Sequence, residues 1–308
     1  MKLLTSDSFE QARTFVMERG RELERRLLAY HFDDGTPAAV LDELASYQNQ
    51  DGGFGNGLEP DIQLPDSSVI TTTIALRILR EVGATSDDQI VRKAIQYLLA
   101  EYDSAQSRWP IVPQAVDEYP HAPWWNFENT ADTFGNFLAN PRAEVVGYLH
   151  EYHELAPTDL TKQLTVEVIE HIRTLPDEMN MYDFICCVHL IETANLPQSA
   201  KDALVEILIQ RAHSVVAHTP EELMQPSARP LWLAPTPASL LAETLKSEVD
   251  MNLDFDIEHQ NSDGSWSPTW TWYGQYPEVW EQAEQHWKSC LTVEILKALK
   301  EFGRIEGI

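Results

Sequence analysis

Glu59, Asp61 and Asp66 fall within eight residues of one another, in the glycine- and proline-punctuated stretch GNGLEPDIQLPDSSV. Carboxylates at that spacing suit divalent-cation binding or a general acid–base pair. Glycines at 52, 53, 55 and 57 allow close backbone approach, which makes Glu59-Pro60-Asp61 the stronger chemical candidate. Asp66 stands before Ser67-Ser68 and reads as a helix cap or a solvated acid. A second stretch, RWPIVPQAVDEYPHAPWWNFENTAD, places His121 and Glu128 among Trp109, Trp124, Trp125 and Phe127, and four prolines stiffen it. His121 has the intrinsic acidity for proton transfer near neutral pH, or else serves as a loop histidine bonded to a carbonyl. Aromatic faces such as Trp124 and Trp125 stabilise cations, stack on ligands, or simply cover a core. A third stretch, SPTWTWYGQYPEVW, adds Trp270, Trp272 and Tyr273; Trp270 and Trp272 alternate with threonine and share a side if the chain is extended. Arg108 and Arg229 are the obvious anion clamps in these stretches.

The catalytic candidates are therefore Glu59, Asp61, His121 and Glu128, and the substrate-binding candidates Trp124, Trp125, Trp270, Trp272, Tyr273 and Arg108. No metal site is assigned. Cys186-Cys187-x-His189 and His286 with Cys290 each offer two ligands, and two ligands make no zinc site, so both read as helix packing. The sequence Asp254-Phe255-Asp256-Ile257-Glu258 reads as the solvated face of a helix. No phosphate-binding or dinucleotide fingerprint and no nucleophile elbow occurs.

These stretches hang on a repeated element. Gln48-Asn49-Gln50-Asp51-Gly52-Gly53-Phe54 returns as Gln260-Asn261-Ser262-Asp263-Gly264-Ser265-Trp266. After each copy, Val69–Gly83 aligns with Ser289–Gly303. In such a turn the Asp accepts backbone N–H groups, the Gly adopts a left-handed conformation, the Gln reaches a neighbouring helix start and the aromatic ring fills the seam. The motif is therefore structural, and its repetition implies stacked helical units.

Helical periodicity dominates the rest. Phe9 to Leu28 reads as one charged helix, capped by Ser6 or Asp7; further helices fit 36–47, 69–82, 87–102, 141–155, 159–175, 181–194, 198–217, 236–245, 250–259 and 278–302, with a short one at 130–138. No convincing strand appears. Long connections at about 50–67, 106–129, 217–235 and 261–277 alternate with short ones, which places the long loops at one end of a ring of hairpins. The expected fold is all-α: a closed α/α toroid of about six helical hairpins with inner and outer rings, forming one domain over residues 1–308.

The paired QNQDGGFG and QNSDGSW turns resemble the glutamine–aromatic repeats of terpenoid cyclases and protein prenyltransferase β subunits. That resemblance implies an α/α toroid around an aromatic-lined apolar cavity. It implies a terpene-cyclase-like enzyme acting on an isoprenoid or other hydrophobic substrate, by carboxylate or histidine acid–base chemistry or by Mg²⁺-assisted ionisation. The chain departs from the family pattern in lacking Asp-x-Asp-Asp, Asp-Asp-x-x-Asp and a zinc-binding trio. The alternatives are a carbohydrate-active α/α-barrel hydrolase or lyase with paired carboxylates, and a non-catalytic toroid that holds a lipid or peptide.

Composition narrows the partners. The chain of 308 residues carries 49 acidic against 22 basic side chains, a formal charge of −27, which disfavours nucleic acid and anionic membranes. A polyanionic substrate would need a cation, so Mg²⁺ is expected only if the substrate is a diphosphate; no other cofactor is assigned. Three cysteines supply no disulfide framework, and no signal-like or membrane-spanning run occurs. The expectation is a cytoplasmic protein with a small hydrophobic substrate, and its oligomeric state is left open.

Overall fold

The computed structural model describes all 308 residues. It is all-helical, with isolated bridges and no strands. Fourteen α-helices occur along the chain: α1 (Ser6–Arg19), α2 (Glu22–Phe32), α3 (Pro37–Leu44), α4 (Val69–Glu81), α5 (Gln89–Ala100), α6 (Phe127–Thr133), α7 (Arg142–Glu151), α8 (Thr158–Thr174), α9 (Met181–Ile191), α10 (Gln198–Val215), α11 (Pro220–Leu223), α12 (Pro230–Leu233), α13 (Lys246–Glu258) and α14 (Pro277–Glu301). No helix is long and apolar enough to cross a membrane. The chain divides into two compact units, Met1–Glu43 with Val216–Ile308, and Leu44–Val215.

In the first unit α14 packs against α1 and α2, and α13 against α11 and α12. In the second, α7 packs against α8 and α9, and α10 lies against both of those; α4 packs on α5 and α7. Helix α7 is buried from Arg142 to His150, on every side, as a central helix must be.

Each unit holds one copy of the repeated turn, and the two are built alike. Gln48 Nε2 donates to Gly52 O and to Ile90 O in the first turn of α5, both at 2.9 Å. Gln260 Nε2 donates to Gly264 O at 3.0 Å and to Ser8 O in the first turn of α1 at 2.8 Å. Asp51 Oδ1 accepts from Gly53 N and Ser67 Oγ, and Asp263 Oδ1 from Ser265 N and Oγ. The aromatic residue's N–H donates to a helix threonine in both copies, Phe54 to Thr72 and Trp266 to Thr292. Those threonines occupy equivalent places in the two aligned segments. Gly52 and Gly264 have φ of 95° and 90°, and a β-carbon would lie 2.4 Å from Lys93 O or 2.5 Å from Gln11 O. Only glycine tolerates both that conformation and that approach.

Several sequence expectations need correction. The first charged helix is two, because the chain turns extended at Gly20 and Arg21, and Thr5 rather than Ser6 or Asp7 caps α1. Ser68, not Asp66, caps α4 by accepting from Thr71 N. Residues 236–245 form turns instead of a helix, while the short helices α11 and α12, each opened by a proline, go unpredicted from sequence. The 254–258 acidic run is not a solvated face. Asp256 is buried against Arg229 and accepts from Asn252 Nδ2 at 2.8 Å, whereas Asp254 bonds Arg304 and Glu258 pairs with Lys2.

Candidate functional site

The acidic loop after the first turn is fixed from within. Glu59-Pro60-Asp61-Ile62 is a β-turn closed by Ile62 N donating to Glu59 O at 3.0 Å, with proline at its favoured second position. Leu58, Ile62 and Leu64 are buried and anchor the loop, and Glu59 and Asp61 are buried with them. The proline-rich stretch pairs with this loop in antiparallel fashion. Ala122 N donates to Asp61 O at 2.9 Å and Gln63 N to Pro120 O at 3.0 Å, placing Ile62 opposite His121. These two bonds flank the pair, so Ile62 and His121 are in the closer, non-hydrogen-bonded register. Two segments far apart in sequence are thereby joined, with His121 on the face of Ile62 and Asp61, opposite Ala122, directed to the other face.

His121 is held at both ring nitrogens. Nδ1 lies 2.7 Å from Tyr119 O, and a carbonyl only accepts, so Nδ1 carries its proton there. Nε2 is 2.7 Å from Asn126 Oδ1 and 3.9 Å from Asp117 Oδ1. Both ring nitrogens are occupied, and the ring orientation is therefore set.

The other sequence candidates distribute unevenly. Glu128 is exposed in the first turn of α6, where its charge complements the helix N-terminus. Trp124 is half-buried; Trp125 is buried and stacks on Phe134 at 5.3 Å between ring centroids. Arg108 donates to Asn136 O at 3.2 Å and lies over the Phe137 ring, so its charge is directed to a loop carbonyl and an aromatic face. In the first unit, Trp270 meets Trp287 edge-on at 5.1 Å and Trp272 packs on Trp280 at 5.7 Å. Both rings thus rest on α14, two turns apart, as the alternation with threonine suggested. Trp272 is wholly buried, and Tyr273 is exposed with a left-handed backbone.

Sequence reading passed over Glu144, which organises the core of the second unit. Its carboxylate accepts from Tyr148 Oη at 2.7 Å and from Arg77 Nη2 at 3.1 Å, and His189 Nδ1 lies 3.2 Å away. Burial pushes its acidity toward the neutral form, but Arg77, His189 and Tyr148 outweigh that and hold it well below the usual carboxylate range. Burial in turn lowers His189, keeping the imidazole neutral. A carboxylate this firmly ionised is an anchor, not a proton donor. Asp183 behaves oppositely. Burial pushes it up to about 6, and only the Asn140 N–H, donating to Oδ1 at 3.1 Å, opposes the rise. The available signal was a charged residue inside an apolar helical run, RAEVVGYL for Glu144 and MYDFICCVHLI for Asp183.

Cys186 and Cys187 are buried, and burial pushes both thiols up, in keeping with packing rather than metal binding. Compared with known proteins, the chain matches no family profile, no curated protein and no solved structure.

Proposed function

We propose that the chain is an α/α-toroid enzyme of the terpenoid-cyclase type, acting on a hydrophobic, isoprenoid-like substrate. Glu59, Asp61 and His121 form its acid–base group, and Trp124 and Trp125 face developing positive charge. The observation that supports this reading is the antiparallel pairing of residues 61–63 with 120–122, which joins two stretches in which Glu59, Asp61 and His121 are each buried. Removed from water, such groups protonate or deprotonate a carbon skeleton without competing hydrolysis.

The toroid is supported by the equivalence of the two turns. α5 receives the Gln48 turn and follows α4; α1 receives the Gln260 turn and packs on α14, so the first helix stands to the last as α5 stands to α4. That is the relation expected of a ring whose ends meet.

The donors near the acidic turn also fit Mg²⁺, since two hard carboxylates from one β-turn, with no thiol beside them, match its oxygen preference. With a diphosphate substrate, Glu59 and Asp61 would hold the ion, which would screen the phosphate charge from an acidic protein.

The test is incubation with isoprenyl diphosphates, alcohols and epoxides, with and without Mg²⁺, with products separated by gas chromatography. Turnover is expected in the wild type and should fall about a hundredfold or more in Glu59→Gln or Asp61→Asn, the general acid–base range. Absence of both turnover and retained lipid rejects the isoprenoid reading, and release of reducing sugar from glycans would replace it with the carbohydrate one.

A further inference from the structure

In the first unit, the loop that opens α14 turns aromatic rings to solvent instead of covering a core with them. Tyr273 is 73% exposed and Tyr276 43%. The loop is nevertheless held. Tyr273 N donates to Thr271 Oγ1 at 3.2 Å, Gln275 N to Trp272 O at 2.9 Å and Trp280 N to Tyr276 O at 2.8 Å. Trp272 is wholly buried, with the Tyr276 ring edge-on to it at 6.4 Å and the Trp280 ring tilted on it at 5.7 Å. An exposed aromatic rim thus stands on a buried tryptophan. Tyrosines ordered in advance supply contact area at little further cost in conformational entropy.

The charge beside the rim has one sign. Tyr276 precedes the first turn of α14, and Glu278 and Glu281 follow in its first two turns, neighbours at i and i+3 on the helix surface. Both glutamates are exposed and neither forms an ion pair. No lysine or arginine occurs between Lys246 and Lys288, and Lys288 is paired with Glu284 at 3.5 Å. We infer that the 273–281 segment is a docking surface for a basic peptide segment of a partner protein, with arginine side chains lying on the tyrosine rings and pairing with Glu278 and Glu281. A guanidinium stacks on an aromatic face and pairs with a carboxylate through its planar fork, so arginine uses both kinds of group. Tyrosine and arginine are also residues in which interface binding energy concentrates. The formal charge of −27 draws a basic segment and repels a second copy of this acidic chain. The inference stands apart from the proposed activity and uses none of the residues invoked for it.

The experiment is isothermal titration calorimetry of the full chain with a hexa-arginine peptide, at about 0.15 M salt to screen diffuse attraction. The wild type should bind. Tyr273→Ala should weaken binding about threefold, the scale of an exposed cation–π contact, and Tyr273→Phe should retain it. Glu278→Gln combined with Glu281→Gln should also weaken it about threefold, which tests the surface even if Tyr273→Ala loosens the tip. Glu301→Gln combined with Glu306→Gln removes the same charge beyond the other end of α14, about 30 Å along the helix, and should leave the affinity unchanged. No binding by the wild type overturns the inference. So does an equal loss in the distant pair, or no loss in Tyr273→Ala, since either reduces the binding to diffuse charge. Tyr273-dependent binding of cellohexaose without binding of hexa-arginine makes the rim a sugar platform instead, and a Tyr273-dependent heat of dilution without peptide binding makes a second copy the occupant.

Discussion

The two units carry the same turn and use it differently. Around Asp51 and Asp263 the hydrogen bonds correspond almost atom for atom, down to the glutamine bridging a glycine carbonyl and a helix start. The loops beyond the turns diverge. The one after Asp51 is drawn inward, with Leu58, Glu59, Asp61, Ile62 and Leu64 buried. The one after Asp263 runs outward, leaving Tyr273 and Tyr276 exposed in left-handed backbone. Buried acids differ in their partners within each unit. In the first, Glu24 is gripped by Arg21 through two hydrogen bonds at 2.6 and 2.8 Å, while burial pushes Asp256 up to about 6 although Arg229 opposes the rise. In the second, Asp183 is opposed by no cation and rises to about 6, close to working pH. A shared scaffold element and a variable loop thus divide the labour: the turn fixes helix against helix, and chemistry is left to the segments between. Burial raises an acid and an adjacent arginine opposes the rise, prevailing with its neighbours at Glu144 and only in part at Asp256.

The sharpest way to break this comparison is at the two glycines. Gly52→Ala and Gly264→Ala should each cost on the order of 3–5 kcal/mol, because a β-carbon meets backbone 2.4–2.5 Å away in a left-handed residue. Denaturant unfolding of the two variants should give similar losses; a tolerated substitution at one would show that its turn is not the equivalent of the other.

Buried acids provide the next contrast. Asp183 has its native acidity raised from 3.8 to about 6, so the folded state binds the proton more tightly and stability falls as pH rises through that window. Asp183→Asn should therefore stabilise the protein by roughly 3 kcal/mol above about pH 6, with the gain vanishing below about pH 4. Asp256 is also pushed up to about 6 by burial, with Arg229 opposing the rise, and Asp256→Asn should gain less than Asp183→Asn because it also strands the Arg229 charge. Thermal melts across pH would expose the difference, and an equal gain in the two variants would show that Arg229 contributes nothing to it.

The smallest effect tests the equivalence most finely. Gln48→Ala and Gln260→Ala each remove two hydrogen bonds and should cost about 1–2 kcal/mol apiece. Unequal losses would mean that the helix starts at Ile90 and Ser8 are not held in the same way.

Much of the architecture was legible from pattern. Amphipathic periodicity located α4, α5, α8, α9 and α14 within a few residues, because their apolar stripes are uninterrupted. It failed where local backbone chemistry intervened. Gly20 and Arg21 break a helix that the side-chain pattern carries straight through, and 236–245 lacks the helix its apolar residues suggest. Among the candidates, Glu59, Asp61 and His121 could be proposed from residue type, but the backbone pairing of 61–63 with 120–122 could not. Asn140 and Asp183 were invisible as a pair, since nothing local links position 140 to position 183.

The sequence by itself determined the all-helical class, the paired Gln–Asp–Gly turns and the glycines they require. Those features depend on interactions within a few residues, where type and spacing are sufficient. Only the tertiary structure decided which acids are ionised anchors and which can exchange protons. Glu144 and Asp183 are both buried carboxyl groups in apolar helices, and no local signal separates them. Their opposite acidities come from neighbours distant in sequence, Arg77 and His189 around one and little besides the Asn140 N–H at the other. Charge is read through space, and the chain order does not contain that distance.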